Sequence, residues 1–116
     1  MPASTPQEKW NAYITAFNAD HAEERDILLN QSVSDSVIFT NPGGSGNTRA
    51  ALSAHIADFR TKMPGMYFGT DKTFVTQEEL LAVWAMYKAD GTKVATGYNF
   101  VQFDKSGNLA YMAGFF

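Results

Sequence analysis

The 116-residue chain contains no cysteine, which removes several chemistries at once. Disulfides, thiolate nucleophiles, cysteine-type zinc sites and iron–sulfur clusters are excluded. Positive charge is sparse and scattered: nine Lys and Arg stand against 12 Asp and Glu, for a net charge of −3. Binding to phosphate backbones needs a basic patch, so no nucleic-acid partner is expected. No apolar run approaches the ~18 residues of a membrane span, so no membrane partner is expected. The opening MPASTPQEKW has no charged segment leading into an apolar one, and a cytoplasmic location is expected. The only histidines are His21 and His55, without the HExxH spacing of a metal site; no metal and no cofactor are expected.

What the chain does have is a 45% hydrophobic complement, enough to pack one domain over residues 1–116. Thr5-Pro6-Gln7-Glu8 combines a capping hydroxyl, proline at the first helical position and glutamate at the third, a strong helix start. Trp10, Tyr13, Ile14 and Phe17 follow at helical spacing and predict one buried face. Asp20 with Glu23 predicts a second capped helix through Ile27, Leu28 and Leu29. Val33 to Asn41 alternates as a strand, with Val37, Phe39 and Asn41 on one face and Ile38 and Thr40 on the other. Asn47 or Thr48 opens a third helix with a Leu52, Ile56, Phe59 and Met63 stripe, ended by Pro64-Gly65.

The remainder reads as sheet: a strand from Tyr67 to Val75, a turn at Gln77-Glu78-Glu79, then Leu80 to Lys88. Residues 77–88 (QEELLAVWAMYK) are good helix formers. Asp90-Gly91, however, is a hairpin turn into the strand starting at Lys93, and a hairpin needs a strand on both sides. The last quarter, KVATGYNFVQFDKSGNLAYMAGFF, alternates on either side of an Asp104-Lys105-Ser106-Gly107-Asn108 turn, as an antiparallel hairpin does.

That final hairpin, TNPGG at Thr40 to Gly44 and WNAYITAFNAD at Trp10 to Asp20 together resemble the ketosteroid isomerase-like and SnoaL-like proteins of the nuclear transport factor 2 superfamily. The resemblance spans nearly the whole chain and implies a single SnoaL-like domain. Its fold would be an α+β, cystatin-like cone, with three helices packed on a curved, mostly antiparallel sheet. It also implies a conical pocket for a small apolar ligand, polycyclic or terpenoid-like, and a homodimer formed through the sheet. The family's catalytic carboxylates would fall at Asn41 and Asn99, where this chain carries amides instead.

An amide cannot take up a proton near neutral pH, so Asn41 cannot be the isomerase-type base. Asn-Pro is also an ordinary turn starter. Asn99 lies mid-strand with Gly97, Val101 and Phe103 on its face, and its NH2 can still donate to a ligand oxygen. By the resemblance, Tyr13 would fall where the family's isomerases place an oxyanion-stabilising tyrosine; it serves equally well as a core phenol bonded to protein or water. His55 borders the buried face of the third helix and is the one substitute base on offer, or else a helix-flank residue facing solvent. Tyr13, His55 and Asn99 are therefore the candidate catalytic residues.

Asn41, Phe17, Phe39, Phe59, Val83, Tyr87, Val101, Phe103, Met112 and Phe116 are expected to line the pocket, a list that a plain core would share. Trp84, Met86, Tyr98 and Tyr111 are expected on the opposite sheet face, as the dimer surface. The Gly43-Gly44-Ser45-Gly46 stretch lacks a P-loop lysine and reads as a loop at the pocket mouth. Cofactor-independent proton transfer at carbon is one expected function. A ligand carrier or sensor without chemistry, and a dimerisation module, are the others.

Overall fold

The computed structural model describes residues 4–116. The chain runs through α1 (Pro6–Asn18), α2 (Ala22–Ser32), β1 (Val33–Asn41), β2 (Gly44–Gly46) and α3 (Arg49–Lys62). It continues through β3 (Tyr67–Thr76), β4 (Glu79–Tyr87), β5 (Lys93–Phe103) and β6 (Leu109–Phe115). The six strands form one sheet in the order β2-β1-β6-β5-β4-β3, antiparallel except where β1 meets β6. Three helices on an open, mostly antiparallel sheet make the expected α+β architecture.

Helix starts follow local chemistry. The Thr5 hydroxyl accepts from the Glu8 N–H and the Glu8 carboxylate accepts from the Thr5 N–H, a complete capping box. Thr48 caps α3 through the Ala51 N–H. The second capping box does not form. His21 takes the cap position of α2 without a side-chain bond, and Asp20 instead pairs with Arg60 at 2.6 Å. That ion pair joins the α1–α2 turn to α3, and the same guanidinium also donates to the Met66 carbonyl. Leu29 faces the core as expected, while Ile27 is exposed.

The helix-forming residues of β4 are indeed extended. The pairing that β3 and β5 offer on both sides outweighs a propensity preference of a few tenths of a kcal/mol per residue. Gln77, at φ 49°, makes the tight turn between β3 and β4. The glycine-rich stretch is not a free loop, because Gly44–Gly46 pairs antiparallel with Phe39–Asn41 as β2.

Face assignment on β4 differs from expectation. Leu80, Ala82 and Trp84 are buried on the inner face with Met86 partly covered beside them, and Val83 and Tyr87 lie on the outer one. A β-bulge causes the reversal. Tyr87 pairs with Lys93, but Met86 pairs with Ala95, so Val94 is an extra residue. Parity counted outward from the turn is therefore inverted for the rest of the hairpin.

Across the inner face, Phe39, Met112, Val101 and Leu80 form one row of directly paired residues, all buried. This row plugs the narrow end of the cone. The next row outward is Asn41, Gly114, Asn99 and Ala82, with Gly114 between the two amides and Ala82 beyond them. The space above that second row is where the packing opens.

Candidate functional site

A cavity of about 400 Å3 lies between α1, α3 and the inner sheet face. The clamp that holds α1 over the sheet is specific. Asn18 donates to the Phe68 carbonyl at 2.9 Å and accepts from the Phe68 N–H at 2.8 Å, and the Trp10 indole donates to Thr70 at 2.9 Å. Phe17, Phe59 and Phe68 meet edge-to-face or tilted at 4.9–5.4 Å along one wall. These contacts leave a mostly apolar chamber with a few polar groups, the usual composition of a small-molecule site.

Of the expected residues, Tyr13, Phe17, Asn41, His55, Phe59, Asn99 and Phe116 line the cavity. Phe39, Val101, Phe103 and Met112 do not, because they belong to the plugged core beneath it. Val83 and Tyr87 face away from it. Trp84 and Met86, expected on the dimer face, line it instead, together with Trp10, Ile14 and Phe68. Trp10 and Ile14 were readable as the buried face of α1 but not as cavity, since burial alone does not locate a void, and the strand that carries Phe68 was given no face. Asp58, Lys62 and Met63 add a charged rim at the mouth, where Lys62 pairs with Asp58 at 2.9 Å.

Tyr13 is 6% exposed, and its hydroxyl has no hydrogen-bond partner among the described residues while bordering the cavity. Burial pushes the phenol well above its ordinary range, so it stays protonated and available as a donor. Asn99 accepts from the Trp84 indole N–H at 2.9 Å. An indole N–H only donates, so the bonded atom is the amide oxygen and the NH2 is turned to the cavity. Tyr13 and Asn99 thus present two donors from opposite walls.

Asn41 and His55 form a third unit. The Asn41 oxygen accepts from the Gly43 N–H at 2.8 Å, an Asx turn at the end of β1. That leaves its NH2 to meet His55 Nε2 at 3.3 Å, so Nε2 accepts and neutral His55 carries its proton on Nδ1. Burial is the largest influence on the half-buried ring and lowers its pKa from 6.5; Asp58 opposes this and Lys62 adds to it. A neutral imidazole at pH 7 is a base in form, but its Nε2 lone pair is already engaged. Among the described residues no cluster of three metal-ligating side chains occurs. No helix is long and apolar enough to cross a membrane.

Comparison with known proteins agrees with this architecture. The SnoaL-like domain model matches residues 10–112. No curated protein matches the chain. A candidate isomerase of the SnoaL-like family from Agrobacterium tumefaciens superposes with a TM-score of 0.87, at 24% identity over 92% of each chain. An NTF2-like protein from Exiguobacterium gives 0.74, at 18% identity over 91% of this chain and 95% of that one. A candidate polyketide cyclase from Sinorhizobium meliloti gives 0.74, at 11% identity over 96% and 99% of the two chains. With a cavity closed by α1, α3 and the sheet, and a family match over most of its length, the chain belongs to the SnoaL-like domain family of the NTF2-like fold.

Proposed function

We propose that the protein binds a small, mostly apolar metabolite in its cone and grips one acceptor oxygen of that ligand with the Tyr13 hydroxyl and the Asn99 NH2. The observation that carries this reading is the partnerless phenol. No fully buried polar side-chain atom among the described residues is left unpaired, so this hydroxyl is open to the cavity, and a ligand oxygen there would supply a bond worth about 0.5–1.5 kcal/mol that the protein does not. The aromatic walls suit a flat, polycyclic or terpenoid-like body. The test uses 9-fluorenone, a flat ketone small enough for the cavity. Its binding should quench the fluorescence of Trp10 and Trp84, which both line the site. In Tyr13→Phe the affinity should fall about fivefold, the worth of one hydrogen bond. Equal affinity in the two proteins would remove Tyr13 from the site.

Cofactor-independent proton transfer is the second reading, favoured by His55 at the cavity wall. In that reaction His55 Nε2 removes a proton from the carbon beside the carbonyl and the electron pair moves onto the oxygen held by Tyr13 and Asn99. The electron pair then returns from the oxygen to re-form the carbonyl while the imidazolium delivers the proton to a different carbon of the conjugated system, which completes an isomerisation. Asn41 would first have to release Nε2, so a carrier without turnover fits the resting geometry better. Exchange of the α-hydrogens of 2-tetralone in D2O, lost in His55→Ala, would establish the enzyme. Binding without exchange would establish the carrier.

A homodimer through the outer sheet face is also inferred. Tyr98 and Tyr111 remain candidates there, joined by Ile38, Phe74, Leu81 and Phe115 in place of Trp84 and Met86.

A further inference from the structure

Trp84 does more than fill the wall. In the β4–β5 pairing it stands opposite Gly97, and its indole reaches diagonally to Asn99, which is itself opposite Ala82. The ring can take that path only because residue 97 has no side chain. A Cβ built on Gly97 would collide with Cζ2 and Cη2 of the indole. Phe68 and Phe116 close on the same ring edge-to-face at 5.2 and 5.4 Å and hold it there. Glycine costs a strand both packing and entropy, so its place under a tryptophan mid-strand marks a close approach that the local structure uses.

We infer that Trp84, seated on Gly97, is a positioning residue that locks the Asn99 carboxamide with only its NH2 facing the cavity, so that the site selects ligands presenting an acceptor oxygen over isosteres presenting a donor. The inference rests on the pocket reading above and adds a ligand class to it: ketones, quinones and related carbonyl compounds, rather than N–H or O–H bearing analogues of the same shape. A free carboxamide would show no such preference, because half a turn about its last torsion exchanges oxygen for nitrogen. The indole bond forbids that turn. A donor ligand would face the Asn99 NH2 without a partner, and an unpaired buried donor is penalised.

The experiment compares 9-fluorenone, an acceptor only, with carbazole, a donor only, and fluorene, which is neither; the three are nearly isosteric. Wild-type protein should bind fluorenone at least about tenfold more tightly than carbazole. In Trp84→Phe, checked by circular dichroism for its fold, the amide can turn. Carbazole affinity should then rise until the ratio is within about threefold. Because Trp84 also lines the cavity, fluorene controls for the space that the smaller ring opens, and carbazole must gain relative to fluorene as well as to fluorenone. Should the variant fail to fold, 15N NMR of the wild type decides. Fluorenone should shift the Asn99 NH2 pair strongly, fluorene should not, and the Trp84 indole resonance should stay hydrogen-bonded throughout. A ratio unchanged in folded Trp84→Phe, or an Asn99 pair indifferent to fluorenone, overturns the inference while the pocket reading survives on fluorenone binding. No saturable binding of any of the three to wild type overturns both.

Discussion

At the scale of single residues, Tyr13 and His55 make opposite demands on the fold. The Tyr13 hydroxyl contributes no protein hydrogen bond, so Tyr13→Phe should leave thermal stability unchanged or raise it while ligand affinity falls. A melting curve and a fluorenone titration on the same sample check both halves. A loss of stability of ~1 kcal/mol or more would mean that the hydroxyl is bonded within the protein. For His55, burial lowers the folded pKa below the unfolded value of 6.5. The unfolded chain therefore takes up that proton first as pH falls. The contribution to stability is intact above about pH 6.5 and declines as pH drops toward the depressed folded value. His55→Gln should remove that part of the pH dependence of denaturant midpoints measured between pH 7 and pH 5. Replacing the neutral neighbour reverses the sign. Asn41→Asp keeps an oxygen for the Gly43 N–H and places a carboxylate beside Nε2, so the His55 pKa should rise above its wild-type value. Imidazole NMR reads this directly, with only His21 as a second signal. An unchanged His55 titration in that variant would contradict the Asn41–His55 contact.

At the scale of elements, the boundaries of α1, β1, β5 and β6 could be read from caps, alternation and turn residues, because each is set by its own sequence. The face of β4 was not readable in that way. Leu80 to Tyr87 is apolar on both sides, so alternation carries no sign, and the turn-derived parity is inverted by the Val94 bulge that pairing with β4 reveals. For the same reason the site was half legible. The resemblance pointed to Tyr13 and Asn99 and helical spacing to His55, and all three line the cavity, whereas Trp84 was assigned to the wrong side. Phe39, Val101, Phe103 and Met112 were found as inward residues, but inward at the plugged end. The adjacent leucines of β4 test the corrected face. Leu80 is 1% exposed and Leu81 39% in the single chain, so with the protein held monomeric by Tyr98→Lys, Leu80→Ala should cost about 2–5 kcal/mol and Leu81→Ala well under that. Similar costs from urea denaturation would mean that the strand is buried on both faces.

At the scale of the whole molecule, the two faces of one sheet differ in kind. Its inner face carries a plug, a row of amides and a cavity, while its outer face leaves Ile38, Phe74, Leu81, Tyr98 and Phe115 between 39% and 58% exposed. An apolar surface of that extent on one face is what a second copy of the chain would cover. Sedimentation should give a dimer for the wild type and a monomer for the Leu81→Lys, Tyr98→Lys double variant. Ligand binding should survive that change, because neither residue lines the cavity. A monomeric wild type would leave the outer face without a partner. The measurement that bears most directly on the central claim is a crystal structure with 9-fluorenone bound. The account predicts the carbonyl oxygen at about 2.7–3.2 Å from both the Tyr13 hydroxyl and the Asn99 NH2, with the rings against Phe17, Phe59 and Trp84. A carbonyl turned to the Asp58–Lys62 rim, or a ligand bound outside the cone, would contradict it.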